Sequence, residues 1–410
     1  MTRAPSYEEV LAELYALSAR GIEPGLERMR AALARAGHPE RDVCVVHVAG
    51  TNGKGSVSAM VATGLAAAGH RVGLYTSPHL TTLTERVRVM GGPPIERADV
   101  ADGWARLRGA LIGEGAPRLT FFEALTVLAL ELFRGRGLDV VVLEVGLGGR
   151  LDATNVFERP LACAITRIGI DHTGFLGSDL ASIAREKAGI LRAGVPAVIG
   201  PQREEARLAI EREASRVGAP LRWAEPGRVA RAGLSPRLPG AHQRENAAIA
   251  LGVLEALSEQ GLSADPRAAV EEVEWPGRLE RVEANGPFLL DAAHNADGCE
   301  ALAAHLASRP RRRVLVFGAM ADKDWRAMLA ILRPHVDAVV CAAPPLSRAE
   351  RPEVIAAACG GHPAEHARHA VALARELAGD DEVVVAGSIY LMGEIRGLLL
   401  GLEADPPIAM

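Results

Sequence analysis

The sequence predicts a two-domain α/β protein built on mostly parallel sheets, and three observations carry that reading. The first is a series of short, continuously apolar runs: Val43–Val46, Arg71–Tyr75, Val140–Leu143, Leu161–Ile165 and Pro196–Ile199. A strand that is apolar at nearly every position must be covered on both faces, as strands inside a parallel sheet are. The second is that segments of helical character separate these runs, Phe121–Phe133 among them. The third is a restart of the alternation after Trp275-Pro276-Gly277-Arg278, with strands expected at 287–291, 313–317, 337–342 and 382–386. Pro276-Gly277 is a turn signal, so the expected domains are residues 1–281 and 282–410. A length of 410 residues suits two domains better than one.

Residues 7–37 read as helices broken near Gly21-Ile22-Glu23-Pro24-Gly25, after which Leu26, Met29 and Leu33 repeat at helical spacing. Val43–Val46 reads as the first strand, and Val57–Ala68 carries small and apolar residues at helical density. Arg311-Arg312-Arg313 reads as a solvated run where a strand begins. Apolar residues make up 49% of the chain, ample for one or two cores.

Composition narrows the function. A net charge of −5 and only 4% aromatic residues leave neither a basic footprint nor stacking platforms for nucleic acid. The five cysteines (44, 163, 299, 341 and 359) are far apart with no C-x-x-C, so neither a zinc site nor a disulfide framework is expected. Cys44, Cys163 and Cys341 lie in apolar runs and read as core thiols. Acidic residues by position 8 argue against a signal core, and no run approaches the roughly 18–20 apolar residues of a membrane span. A cytoplasmic protein without membrane partners is expected, and without coiled-coil heptads a monomer is the default.

The stretch with the most chemistry is Val48-Ala49-Gly50-Thr51-Asn52-Gly53-Lys54-Gly55-Ser56. A glycine-rich turn between a strand and a helix aims backbone N–H groups and the positive end of the helix dipole at one point. Lys54 adds a mobile cation and the Ser56 hydroxyl can support Mg²⁺ or phosphate. This is a polyphosphate cradle, and ATP is the cofactor it suggests. It departs from the standard P-loop, which would place Gly at 48 and Ser or Thr at 55, where this chain has Val48 and Gly55.

Ligands collect at the C-terminal ends of parallel strands. Thr76-Ser77-Pro78-His79 follows one expected strand, Glu144 another, and Asp171-His172 a third after a short connection. Each alone is equally well a cap, a paired carboxylate or a satisfied histidine. Together, hydroxyl, carboxylate and imidazole suit divalent cations that bridge phosphates. Ser77 and Glu144 are the candidates for an ion beside the ATP phosphates, and His172 for a second ion nearer the transferred phosphoryl group.

The phosphate loop resembles that of the ATP-dependent amide ligases that include folylpolyglutamate synthase and the Mur ligases, and the likeness extends over nearly the whole chain. It runs through Gly25–Arg28, Ser77–Leu80, Glu85–Val87, Thr120–Glu123, Leu143–Asn155 and Asp171-His172. It continues through Arg185–Ile190, His242–Asn246, Pro276–Arg278, Asp291–Asn295, Asp322–Asp324 and Gly387-Ser388. On these motifs in this order the chain is identified as a member of the bacterial dihydrofolate synthase/folylpolyglutamate synthase family. The resemblance implies a P-loop-type ATPase domain that also binds the folate substrate, then a smaller Rossmann-like glutamate-ligase domain. It implies that ATP phosphorylates a carboxylate of dihydropteroate or a reduced folate, and that L-glutamate's amine displaces phosphate. Lys54 and two magnesium ions would neutralise the triphosphate.

Residue by residue, the resemblance implies that ATP is held by Gly50, Thr51, Asn52, Gly53, Lys54, Gly55, Ser56, Asn246, Arg278 and Asp291, with His294 near the phosphoryl groups. By composition Lys187 is a surface helix lysine; by resemblance it is N6-carboxylysine, a ligand of the second magnesium with catalytic weight. The pterin-bearing substrate would meet Glu23, Pro24, Gly25, Thr120, Phe121, Phe122, Glu123, Leu151, Asp152 and Asn155, with at least one of the two phenylalanines in the core. Lys323 and Ser388 are weaker candidates for the glutamate end, their bland alternatives being surface charge and loop capping. Ala292 and Ala296 stand where the family usually has Gly and Pro.

Rival readings are a Mur-type ligase, a phosphotransferase or ATPase, and a non-catalytic nucleotide-binding protein. Only 42 residues precede the first expected strand, little room for the extra N-terminal domain usual in Mur ligases. Intact Lys54, Glu144, His172 and Lys187 argue against a decayed site.

Overall fold

Every residue of β1 (Val45–Ala49) is buried, because this strand lies at the centre of a seven-stranded sheet. In the computed structural model, which describes residues 4–406, that sheet also contains β2 (Val72–Tyr75), β3 (Val87–Met90), β4 (Val140–Glu144), β5 (Ala162–Ile165), β6 (Ala197–Ile199) and β7 (Leu221–Trp223). Their order is β3-β2-β4-β1-β5-β6-β7, parallel throughout except for β2–β3. A second sheet contains β8 (Glu280–Glu283), β9 (Pro287–Leu290), β10 (Arg313–Phe317), β11 (Ala338–Cys341), β12 (His362–Pro363) and β13 (Glu382–Ala386). Its order is β12-β11-β10-β13-β9-β8, with only β8–β9 antiparallel.

The chain forms two units. One takes in the chain through Pro78, Thr84–Arg237 and Gln243–Glu274; the other takes in His79–Leu83, Leu238–His242 and the chain from Trp275 onward. In the second unit, Leu315 and Phe317 of β10 join one apolar cluster, while Val314 and Val316 join another. The two faces of the sheet are therefore both covered, which is why its strands read as unbroken apolar runs.

Four strands escape that pattern. Val87-Arg88-Val89-Met90 and Glu280-Arg281-Val282-Glu283 mix charged and apolar residues, because edge strands bury one face only. β7 has three residues and β12 two, too few for any periodicity. The first strand also needs correction. It runs over 45–49 rather than 43–46, because its register is set by pairing to β4 and β5 and carries it through the polar His47. Cys44 consequently lies ahead of the strand and is exposed, not a core thiol, whereas Cys163 and Cys341 are buried. Arg313 is corrected too: it is 3% exposed, and its Nε donates to the Glu382 carboxylate at 2.9 Å.

Local signals place the helices near the site. Thr120 caps the helix Phe121–Arg134, with Glu123 returning a bond to the Thr120 N–H. The helix after β1 begins at Lys54, earlier than apolar density suggested, so Lys54, Gly55 and Ser56 form its first turn. Among the described residues, no helix is long and apolar enough to cross a membrane.

Leu65, in that helix and 0% exposed, tests the first core. Leu65→Ala should cost about 2–5 kcal/mol in urea unfolding. Leu208→Ala, at a 42% exposed position, should stay within about 0.5 kcal/mol.

Candidate active site

The turn leaving β1 is shaped by two glycines. Gly50 has φ of +145° and Gly53 of +92°, backbone that L side chains rarely adopt. Space forbids a side chain as firmly: a Cβ on Gly50 would sit 1.8 Å from Thr166 Oγ1, and one on Gly53 2.3 Å from Asn246 Oδ1. The N–H groups of Thr51 and Asn52 donate to the Arg167 carbonyl at 3.0 and 3.2 Å, and the Thr51 hydroxyl donates to the Gly169 carbonyl. Lys54 Nζ donates to the Thr51 carbonyl at 3.1 Å, so the cation lies over the turn. Ser56 Oγ, at the helix N-terminus, is buried and has no hydrogen-bond partner among the described residues; the same holds for Thr166 Oγ1 and Gln243 Nε2. A buried polar atom without a partner costs about 1–3 kcal/mol, and Ser56 Oγ is the atom a phosphate-bound cation would satisfy. Asn246 is tied into the same corner by its Nδ2, which donates to Gln243 Oε1 at 2.9 Å.

Sheet order explains why the other candidates converge here. β4 lies between β1 and β2, with Glu144 in register with Val48 and Leu143 with Tyr75. Glu144 Oε2 accepts the Ser77 N–H at 3.2 Å, which brings two candidate metal ligands together. Lys187 is buried at 4% exposure, unlike the surface lysine its composition suggests, and donates to the Gly50 carbonyl at 2.8 Å. Burial first, and then the charge of Lys54, pull its amine down to about 7; Asp171 and Asp152 oppose that shift. His172 holds a left-handed φ of +53°, uncommon for a non-glycine residue. Its N–H donates to Asp171 Oδ1 at 2.8 Å, and its side chain is 42% exposed. Among the described residues, no three His, Cys, Asp or Glu side chains close on one point as a ready-made cage. Magnesium does not require one, since it keeps several waters and takes oxygens from phosphate.

Gly146–Asn155 leads from β4 across this region. The Arg150 N–H donates to the Glu186 carbonyl at 2.8 Å, laying the loop along the end of the helix that carries Lys187. Asp152 and Asn155 turn their polar atoms inward. Asp152 accepts from the N–H groups of Leu147 and Thr154 and from the Thr154 hydroxyl. Asn155 Nδ2 donates to the carbonyls of Arg150 and Gly189, and its Oδ1 accepts from Arg192. Leu151 is left 44% exposed.

The remaining substrate candidates are joined by a residue that sequence reasoning passed over. Arg28 binds the Glu23 carbonyl and lies 3.4 Å from the Glu23 carboxylate and 3.1 Å from that of Glu123. It thereby links the exposed Glu23-Pro24 segment, with Gly25, to the helix start at Thr120–Glu123. Phe121 is buried beneath Arg86, whose guanidinium lies 5.3 Å from the ring centre, while the half-buried Phe122 is 6.0 Å from the Tyr75 ring. Both arginines stand inside motifs quoted above; the signal was an arginine held between acidic or aromatic segments, but arginines are usually solvated.

In the second unit, Asp291, Lys323 and Ser388 follow the neighbouring strands β9, β10 and β13. Asp291 accepts the N–H groups of Leu279 and Ala293; burial pushes its pKa above the ordinary carboxyl value, opposed by Arg278. His294 Nδ1 lies 2.9 Å from the Ala292 carbonyl, which can only accept, so that nitrogen carries the proton. The Gly387 N–H donates to the Ala293 carbonyl, drawing Ser388 toward this segment. Ser388 caps the helix Ile389–Leu400 and is buried; Lys323 is half-buried in a turn. Ala296 is the first residue of the helix Ala296–Ala307, a position that suits Pro and Ala alike.

A family profile described as "Mur ligase, glutamate ligase domain" matches residues 277–389. The dihydrofolate synthase/folylpolyglutamate synthase of Bacillus subtilis is 33% identical over 433 residues, covering 95% of this chain and 98% of that protein. A probable bifunctional folylpolyglutamate synthase/dihydropteroate synthase of Haloferax volcanii is 37% identical over 424 residues and covers 95% of this chain. The chain spans about half of that relative's length, 50%. The crystal structure of the bifunctional folylpolyglutamate synthase/dihydrofolate synthase of Yersinia pestis, complexed with AMPPNP and Mn, superposes with a TM-score of 0.85 at 35% identity. It covers 97% of this chain and 100% of that one.

Two outcomes follow from the cradle. Gly53→Ala should lower nucleotide affinity by at least about tenfold in a calorimetric titration, with the fold retained, since the added methyl forces the turn off Asn246. As a free amine, without added CO₂ or bicarbonate, Lys187 should make stability rise with pH. Its amine loses the proton near 7 in the folded protein and near the ordinary 10.5 when unfolded, so the unfolded chain binds more protons between those values. Unfolding free energy then climbs through that window by up to about 1.4 kcal/mol per pH unit. Urea unfolding of Lys187→Met should lack the rise.

Proposed function

The chain belongs to the dihydrofolate synthase/folylpolyglutamate synthase family, and we infer from that membership and from its site that it is an ATP-dependent amide ligase. It joins L-glutamate to dihydropteroate, to reduced folates, or to both. The observation that carries this reading is the glycine cradle at the end of β1, with an unpartnered Ser56 hydroxyl, Lys54 above it and the buried Lys187 beneath.

A carboxylate oxygen of the folate-type substrate attacks the γ-phosphorus of ATP; the bond to the β-bridging oxygen breaks, leaving ADP and an acyl phosphate. The neutral amine of glutamate then attacks the acyl carbon, and phosphate leaves as the amide forms and the amine loses its proton. Lys54 and the N–H groups of the first helical turn hold the triphosphate and oppose the negative charge that gathers on it. Ser56, Ser77, Glu144 and His172 are the residues to hold two magnesium ions, which when bound would neutralise phosphate oxygens. Asn246, Arg278 and Asp291 are assigned to the nucleotide, His294 to the phosphoryl groups, and Lys323 and Ser388 to glutamate. Phe122 and Leu151 offer apolar surface to the pterin-bearing substrate.

Lys187 fits N6-carboxylysine. A buried amine that is half neutral near pH 7 is nucleophilic enough to add CO₂. The nitrogen of the neutral amine bonds to the carbon, one proton is released, and the buried neutral group becomes an anion. The carbamate nitrogen keeps one hydrogen, enough to preserve the bond to Gly50. We also read the enzyme as bifunctional, cytoplasmic and monomeric.

ADP release should require L-glutamate together with dihydropteroate or tetrahydrofolate, offered in separate reactions. Turnover with both identifies the bifunctional enzyme, and turnover with neither in folded protein overturns the folate assignment. Lys54→Ala should lose about a hundredfold or more in kcat. Lys187→Ala should lose magnesium-dependent turnover and regain part of it with added propionate. The protein without substitutions should show a carbamate signal in NMR with isotopically labelled bicarbonate.

A further inference from the structure

His47 is polar where the rest of its strand is apolar. It lies mid-strand on β1 between Leu143 of β4 and Cys163 of β5, and it is 2% exposed. The neighbouring strand positions are Val45, Val46, Val48 and Ala49, so nothing about the core itself calls for an imidazole there. Its Nε2 is 2.8 Å from Thr154 Oγ1, and Thr154 is 0% exposed. Thr154 in turn donates its hydroxyl to Asp152 Oδ1 at 2.5 Å. The Leu147 and Thr154 N–H groups reach the two Asp152 oxygens at 2.8 and 3.0 Å, holding that carboxyl group as an acceptor. A hydroxyl has one proton. With its O–H donated to Asp152, Thr154 presents a lone pair to His47, and the imidazole must be the donor. We propose that His47 is a positioning residue for the folate-side loop: through its Nε2–H it anchors Thr154, Thr154 orients Asp152, and Asp152 holds the backbone from Gly146 to Asn155.

Burial supports a fixed role, since it lowers the His47 proton affinity to about 3 and leaves the ring neutral, with one N–H, across the working range. The chain of bonds ends on the two N–H groups that shape the turn at Leu147 and Thr154, the same turn that presents Leu151. Second-shell donors of this kind set the geometry of the groups that meet a substrate without touching it. The inference rests on the reading of Gly146–Asn155 as the substrate loop given above.

Three variants test it in the full-length protein: His47→Leu, His47→Gln and Thr154→Val. His47→Gln returns an N–H close to the place of Nε2, whereas His47→Leu fills the volume without a donor. Steady-state ADP release should show the KM for the folate-type substrate raised about tenfold in His47→Leu, the KM for MgATP unchanged within about twofold, and His47→Gln close to the parent. Thr154→Val should cost less on top of His47→Leu than it does alone, because the chain of bonds is already broken at its first link. If both KM values move together, or if only the melting temperature moves, His47 is a core residue and the inference fails. It fails also if His47→Gln is as damaging as His47→Leu. Nitrogen-15 NMR of the unmodified protein, with the His47 signal assigned by its loss in His47→Gln, gives an answer independent of folding of the leucine variant. The Nε2–H tautomer is expected, and the Nδ1–H tautomer would reverse the direction of the bonds and overturn the proposal. Failure of the unmodified protein to release ADP with glutamate would instead count against the ligase reading.

Discussion

The first unit depends on one backbone turn, the path from Gly50 to Gly53 at the end of β1. It reverses the chain within four residues, frees the first-turn N–H groups of the following helix, and presents the Gly50 carbonyl to Lys187. Thr166 Oγ1 and Asn246 Oδ1 press on the turn where side chains would otherwise stand. The turn is therefore held by packing as well as by backbone preference. The helix dipole then places about half a positive charge at this turn. Sheet order does the rest: β4 and β5 flank β1, so whatever follows those strands arrives at the same edge.

Around that turn the protein accumulates unfavourable electrostatics. Lys187 is removed from water and held near the charge of Lys54, and both pull its amine down. Ser56 leaves a hydroxyl unsatisfied in the interior. Each is a cost to the fold of the kind that marks preorganised sites rather than cores. The loop from Gly146 to Asn155 shows the opposite balance. Asp152 and Asn155 have nearly all their polar atoms bonded to the chain itself, so their contribution is shape.

Much of this was legible in the sequence because the relevant signals are local. Continuous apolar runs located the central strands, and the glycine-lysine turn located the cradle. Edge strands were not legible: β3 and β8 are half-solvated, and their charged residues resemble loop. Nor was the burial of Arg313, since a run of three arginines looks solvated until Glu382 on the adjacent strand is seen to meet it. Cys44 was misplaced by two residues of strand register, which only pairing partners decide.

The sequence by itself determined the α/β class, the division of apolar runs between two sheets, the phosphate cradle and the family motifs. These follow from periodicity, glycine placement and residue order, all written along one dimension. Tertiary structure decided which of the quoted residues meet. It sank Lys187 beneath Gly50, set Glu144 against Ser77, let Arg28 join Glu23 to Glu123, and threaded His47 through Thr154 to Asp152. Those contacts join residues far apart in the chain, and their energies come from burial and from the matching of donors to acceptors. Neither exists until the strands are ordered side by side.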